Sequence, residues 1–177
     1  MKKLLILLLL GLAVQLDVSA QHHRHHKKHH RVEHFKGKKH HRNGYFKDNG
    51  CIYYYGSRLD KVHLSSFRDL GSGYACDSYR VFYKGRPITS ALSSSFRLLG
   101  HGYACDRGRV YFWGDVIRGA VSAAFRSLGS GYARDNVFVY YNGKRIKGAN
   151  AKKFRVSRGG YAYDGYHTYY RGKKVKK

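Results

Sequence analysis

Hydrophobic positions along this chain come in short bursts. "YACD" and "VFYKG" (residues 74–77 and 81–85) are aromatic and β-branched, and polar residues split them. The same alternation returns in "YARD" and "VYYNG" (132–135 and 139–143). Runs this short, bounded by Gly, Asp and Asn, predict strands joined by tight turns. Gly85 and Gly143 stand where such a turn needs a positive φ. Each Asp is placed to accept hydrogen bonds from backbone N–H groups two residues on, which nucleates the first turn. Helical period is weak throughout, although "SALSSSFRLL" (90–99) has room for a single helical turn.

The bursts are periodic. Asp48, Asp77, Asp106, Asp135 and Asp164 follow one another in steps of 29. Three residues before each stands Tyr45, Tyr74, Tyr103, Tyr132 or Tyr161. Eight after each is a Gly, eleven after is Leu59, Ile88, Ile117, Ile146 or Val175, and nineteen after is Phe67, Phe96, Phe125 or Phe154. A fixed period in the range of about 20–50 residues marks a repeat architecture. The frame gives units near 44–72, 73–101, 102–130 and 131–159, and a partial one over 160–177. One unit reads as strand, turn, strand, turn, short strand, with "SFRLLG" or "AFRSLG" as a further strand. The expectation is an all-β domain over 44–177, an open array of tandem 29-residue β-hairpin or β-meander repeats. A small five-bladed propeller is the alternative. The fifth unit is expected to lack its third strand and has no Phe, which suits an open end.

The pattern "YAxDxxxVYYxGxxIxGAxxxxFxxLGxGYAxD" resembles the DKNYW/DKNYY family of bacterial repeat proteins over about residues 44–177. Its clearest copy is "GYARDNVFVYYNGKRIKGANAKKFRV". The family's usual Asp-Lys-Asn turn is replaced here by "DNG", "DSYR", "DRGR" and "DNVF". The resemblance implies a bacterial, exported protein and brings no catalytic residues with it.

The segment ahead of the repeats has a different character. "MKKLLILLLLGLAVQLDVSAQ" orders two Lys, an apolar run and a small-residue site, which is the layout of a secretory signal peptide over 1–20. The apolar run is too short to span a bilayer easily, and no later stretch is a membrane-span candidate. Residues 21–43 are an arm rich in His, Lys and Arg. Nine of the twelve His fall within 22–41. With Val32 and Phe35 as its only sizeable apolar side chains, the arm is expected to be disordered. His22, His23, His25, His26, His29, His30, His40 and His41 could hold Zn, Cu or Ni loosely, since neutral imidazole is a common metal ligand. No tightly bound cofactor is expected.

Charge sharpens the functional reading. The chain carries 35 Lys+Arg against 10 Asp+Glu, a net charge of +25. Loss of residues 1–20 removes Lys2, Lys3 and Asp17 and leaves +24. Such a surplus repels itself and calls for anionic partners. Arg68, Arg97, Arg126 and Arg155 each follow the repeated Phe. They either pair with a turn Asp or stack on a Tyr, or they form a line of guanidinium groups matched to a polyanion. Tyr53, Phe82, Tyr111, Tyr140 and Tyr169 form a second column, next to another aromatic column on the following residues. Neighbouring residues of a strand point to opposite faces. Either both faces are buried, or one is an exposed aromatic strip able to stack on sugar rings or bases. Trp113 breaks its column, occupied otherwise by Tyr55, Lys84 and Asn142, and is a candidate binding platform.

Five copies of one carboxylate do not make an acid–base pair, which needs unlike environments. No Ser-His-Asp or Cys-His-Asn arrangement stands out, so the expectation is a non-enzymatic protein. Cys76 and Cys105 share a column and are the disulfide candidate, with Cys51 as the odd thiol; a Cys51–Cys76 bridge is the alternative. Together these features predict a periplasmic or extracellular module for anionic glycans, lipopolysaccharide or another polyanion. Metal binding through the arm is the alternative, and export argues against nucleic acid as a native partner.

Overall fold

The structure, a computed structural model, describes residues 44–175. Among these residues there is no α-helix; the chain forms five small antiparallel sheets in tandem. The first sheet has three strands, Tyr45–Asp48, Cys51–Tyr54 and Ser57–Arg58. The second has four, Arg68–Gly71, Tyr74–Cys76, Val81–Tyr83 and Arg86–Pro87. The third repeats this with Arg97–Gly100, Tyr103–Cys105, Val110–Phe112 and Asp115–Val116. The fourth uses Arg126–Gly129, Tyr132–Arg134, Val139–Tyr141 and Lys144–Ile146. The fifth uses Arg155–Val156, Tyr161–Tyr163, Thr168–Tyr170 and Lys173–Lys174.

Each sheet is a meander in chain order. The Phe-Arg strand pairs with the Tyr strand that follows it, so the sheets straddle the frame drawn at the Gly-Tyr step. The single helical turn expected in 90–99 is a 3-10 turn at Ser93–Ser95, matched by Leu64–Ser66 and Ser122–Ala124. One expectation is corrected at the fifth unit. Its third strand does form, because Val175 donates its backbone N–H to Thr168 and closes the turn at Arg171–Gly172. The sheet one strand short, among the described residues, is the first.

Register explains how sheets become an array. In the third sheet Tyr103 faces Phe112 and Ala104 faces Tyr111. Alternation puts Tyr103 and Phe112 on one face, and Ala104 and Tyr111 on the other. The first face packs on Ala133 and Tyr140 of the fourth sheet, with Phe125 filling the gap. Tyr132 and Tyr141 pack in the same way on Ala162 and Tyr169 around Phe154. Tyr74 and Tyr83 meet Ala104 and Tyr111 around Phe96, and Tyr45 and Tyr54 meet Ala75 and Phe82 around Phe67. A small Ala opposite a large ring lets consecutive faces interlock, and each fully buried aromatic contributes about 2–3 kcal/mol. The stack is open. Tyr74, Tyr103 and Tyr132 are at most 1% exposed, whereas Tyr161, which has the same place on the fifth sheet, is 47% exposed. A closed propeller would cover it.

The Cys76–Cys105 bridge expected from the sequence does not form. Both thiols are buried and free, and Cys51 is also free. Equivalent positions on face-to-face sheets lie about 10 Å apart, beyond the roughly 7 Å limit between bridged Cα atoms.

Candidate functional site

The strand ends define two long edges of the stack. In the third sheet Arg97, Cys105 and Val110 lie in one row, and Gly100, Tyr103 and Phe112 lie in another. The first row borders the turn at Asp106. The second borders the hairpin at Trp113–Gly114. One edge therefore carries the Asp turns and the Arg column, and the other carries the Gly hairpins.

On the Asp edge the turn carboxylates of the second to fifth sheets, Asp77, Asp106, Asp135 and Asp164, are buried and hydrogen-bonded. Asp135 Oδ1 accepts from the backbone N–H of Val137 and Phe138, at 2.7 and 2.6 Å. Its Oδ2 accepts from Val121 N–H and from the Tyr140 hydroxyl, both at 3.0 Å. Asp106 and Asp164 repeat this set, with Tyr111 and Tyr169 as the phenols. Asp77 keeps the three backbone donors, but Phe82 stands where the phenol would be. Burial pushes the Asp106, Asp135 and Asp164 carboxyls up, yet the converging donors outweigh it and hold all three below the ordinary carboxylate range. Tyr111, Tyr140 and Tyr169 move the opposite way, raised by burial and by the adjoining Asp. Saturated, buried carboxylates are architecture, and they are unsuited to proton transfer.

On the Gly edge the repeated Tyr bridges neighbouring sheets. The Tyr103 hydroxyl donates to Gly131 O at 2.9 Å and accepts from Gly143 N–H at 3.1 Å. Tyr45, Tyr74 and Tyr132 do the same to the sheet that follows each. Burial pushes Tyr74 and Tyr103 up to about 12. Gly143 (φ +76°) must be Gly, because a Cβ there would lie 2.9 Å from Phe112 of the preceding sheet. Sequence reasoning took this Tyr column for packing and missed its hydrogen bonds. A signal was present: the column holds Tyr in all five units, while the columns five and six after the Asp each admit a Phe.

The Arg column emerges as a free cationic line. Arg68, Arg97, Arg126 and Arg155 are all exposed. Asp77, Asp106, Asp135 and Asp164 are occupied by N–H donors, and none of the four Arg pairs with a carboxylate among the described residues. Among the described residues no Lys or Arg pairs with a carboxylate; the one contact of that kind sets His167 Nδ1 3.6 Å from Asp164 Oδ1. Arg68 Nη2 sits 3.7 Å from Cys76 Sγ, and Arg155 Nη1 donates to Phe154 O at 2.9 Å. A groove of about 430 Å³ runs beside Arg68, lined by Ser65, Ser66, Ser78, Ser93 and Ser94. Burial of Asp77, Asp106, Asp135 and Asp164 leaves Asp48, Asp60, Asp69 and Asp115 as the remaining carboxylates of the described chain.

The aromatic column is a correction. Phe82, Tyr111, Tyr140 and Tyr169 are buried between sheets and Tyr53 is half-buried, so they form no exposed platform strip. In the second to fourth sheets both faces of the strand are covered because sheets stack on both sides. Trp113 differs: it is 44% exposed at a hairpin tip. His63, His101 and His167 do not converge, and no group of three His, Cys, Asp or Glu could hold a metal ion among the described residues. His22, His23, His25, His26, His29, His30, His40 and His41, with the rest of residues 1–43, lie outside the described residues. Among the described residues no helix is long and apolar enough to cross a membrane.

Comparison with known proteins adds one match. The model of the DKNYY family covers residues 45–173, the span of the five sheets. No curated protein and no solved structure matches the chain.

Proposed function

The chain belongs to the DKNYY family, and on that footing we propose that it is an exported, non-enzymatic module that binds anionic envelope or extracellular polymers along its Arg edge. The observation that carries this reading is the exposed line of Arg68, Arg97, Arg126 and Arg155, none paired with a carboxylate among the described residues. Guanidinium forks suit phosphate, sulfate and carboxylate alike. Four of them at repeat spacing give avidity to a long polymer without any single strong site. The Ser hydroxyls beside Arg68 add neutral donors to the same edge. The leader-like start and the cationic arm support export and a polyanionic partner, such as lipopolysaccharide or an acidic glycan.

The test is binding of the mature chain to lipopolysaccharide and polyphosphate across a salt series. Four phosphate contacts predict an affinity loss of roughly 10² between about 50 and 200 mM salt. Replacing all four Arg by Ala should flatten that slope while the fold persists, because these side chains are exposed. A slope unchanged by the four substitutions would refute the Arg edge as the binding surface.

A further inference from the structure

The Gly edge holds a feature that the periodic Arg line does not explain. The hairpin-tip position is occupied by Tyr55, Lys84, Trp113, Asn142 and Arg171, all with φ between 45° and 49°. Asn suits this left-handed backbone, whereas a bulky side chain is strained there. Trp113 nonetheless sits in it and is 44% exposed. Its indole rests on the bare backbone of Gly102, where an added Cβ would come within 2.4 Å of the ring. Tyr83 of the preceding sheet stands 6.3 Å away, centroid to centroid. Between the two hairpins opens a groove of about 680 Å³, lined by Tyr83, Lys84, Arg86, Thr89, Trp113 and Asp115.

The chemistry of this lining is specific. An indole and a phenol offer apolar surface to a flat, C–H-rich ring face. Lys84 and Arg86 supply two cations, and Arg86 has no carboxylate partner among the described residues. Thr89 and Asp115 can exchange hydrogen bonds with hydroxyl groups. The ligand that matches all of these at once is a pyranose carrying a carboxylate. We propose that the Trp113 groove is a binding subsite for an acidic sugar, a hexuronate unit of a polysaccharide. This rests on the polyanion reading above and deepens it: the Arg edge supplies a periodic field, and the Trp113 groove supplies one discriminating site on the opposite edge.

Trp113 is the only tryptophan of the chain, so its emission reports on the groove directly. The mature protein would be titrated with a short oligogalacturonate, its neutral methyl ester, polyphosphate and a single-stranded oligodeoxythymidylate, with calorimetry in parallel. The expected result is a saturable change in emission with oligogalacturonate, and at least about fivefold weaker binding of the ester. Trp113→Asn places at this tip the residue that Asn142 carries in the same conformation, so it should fold, and it should bind oligogalacturonate roughly tenfold more weakly. Its affinity for polyphosphate should stay unchanged. Equal oligogalacturonate affinity of wild type and Trp113→Asn would overturn the subsite while leaving the Arg edge standing. An equal emission response to polyphosphate or to the oligonucleotide would overturn the sugar assignment. If the four-Arg variant loses polyphosphate but keeps the oligogalacturonate signal, the two surfaces are separate, as proposed. If neither polyphosphate nor oligogalacturonate binds the wild type, the polyanion reading itself falls.

Discussion

The two edges of the stack use the same kind of bond for opposite purposes. On the Asp edge, Asp135 gathers Val121, Val137, Phe138 and Tyr140, all from the approach to the fourth sheet or from that sheet itself. On the Gly edge, Tyr132 reaches Gly160 and Gly172, both in the next unit. The carboxylate ties a sheet to the connector that leads into it, and the phenol fastens one sheet to the next. In a repeat array, stability is approximately a sum of intrinsic terms and nearest-neighbour terms. The chain therefore places its intrinsic term on one edge and its coupling term on the other. Damage to the two edges should differ in kind as well as in size.

The largest effect is expected from Asp135→Ala. The substitution strands three part-buried N–H groups and one buried phenol, and should cost about 3–5 kcal/mol. Because Asp135 is held below its ordinary range in the folded chain, its contribution is present above the unfolded carboxyl value of about 4 and is lost as pH falls. The deficit of the variant relative to wild type should therefore shrink in acid. Urea melts at neutral pH and at about pH 3 measure both quantities. A deficit that is constant with pH would show that the carboxylate is not the source.

Next in size is Tyr132→Phe. It keeps the ring and removes only the bridge to Gly160 O and Gly172 N–H, at an expected cost of about 1–3 kcal/mol. The comparison is sharpened by where the loss falls. Hydrogen exchange should accelerate at Gly172 and through the fifth sheet more than in the third sheet, since coupling and not folding of the fourth sheet is weakened. In Asp135→Ala the faster amides should instead be Val121, Val137 and Phe138. The same exchange pattern in both variants would break the division of labour between the edges.

Much of this division was legible in the sequence, and the rest was hidden for a physical reason. The 29-residue step, the Asp turns and the Gly hairpins are local: donor and acceptor lie two or three residues apart, as with Tyr79 N–H on Asp77. The bridge from Tyr132 spans 28 residues to Gly160 and 40 to Gly172. No local pattern states such a contact; only the uniform identity of the Tyr column hints that its hydroxyl is used. The same blindness to stacking left open whether Phe82 and Tyr140 faced solvent, and it made Cys76 and Cys105 look bridgeable. The Arg line was readable as a column, but its freedom was not. That depended on the turn Asp being filled by backbone, which takes a fold to see.

The smallest prediction reverses the direction of change. Phe82 is the one member of its column without a hydroxyl, and Asp77 is the turn Asp of sheets two to five that lacks a phenol donor. Tyr111, Tyr140 and Tyr169 show that this position accommodates a hydroxyl within 2.7 to 3.0 Å of the carboxylate. Phe82→Tyr should therefore complete the fourth bond and stabilise the second sheet by about 0.5–1.5 kcal/mol. The gain belongs to the intrinsic term, so it should slow exchange at Tyr79 and Arg80 and leave the Gly114 amide, held by Tyr74 from across the junction, unchanged. If Gly114 is protected just as much, the two edges are coupled through the shared strands. Each edge would then report on the whole unit and no longer on its own term.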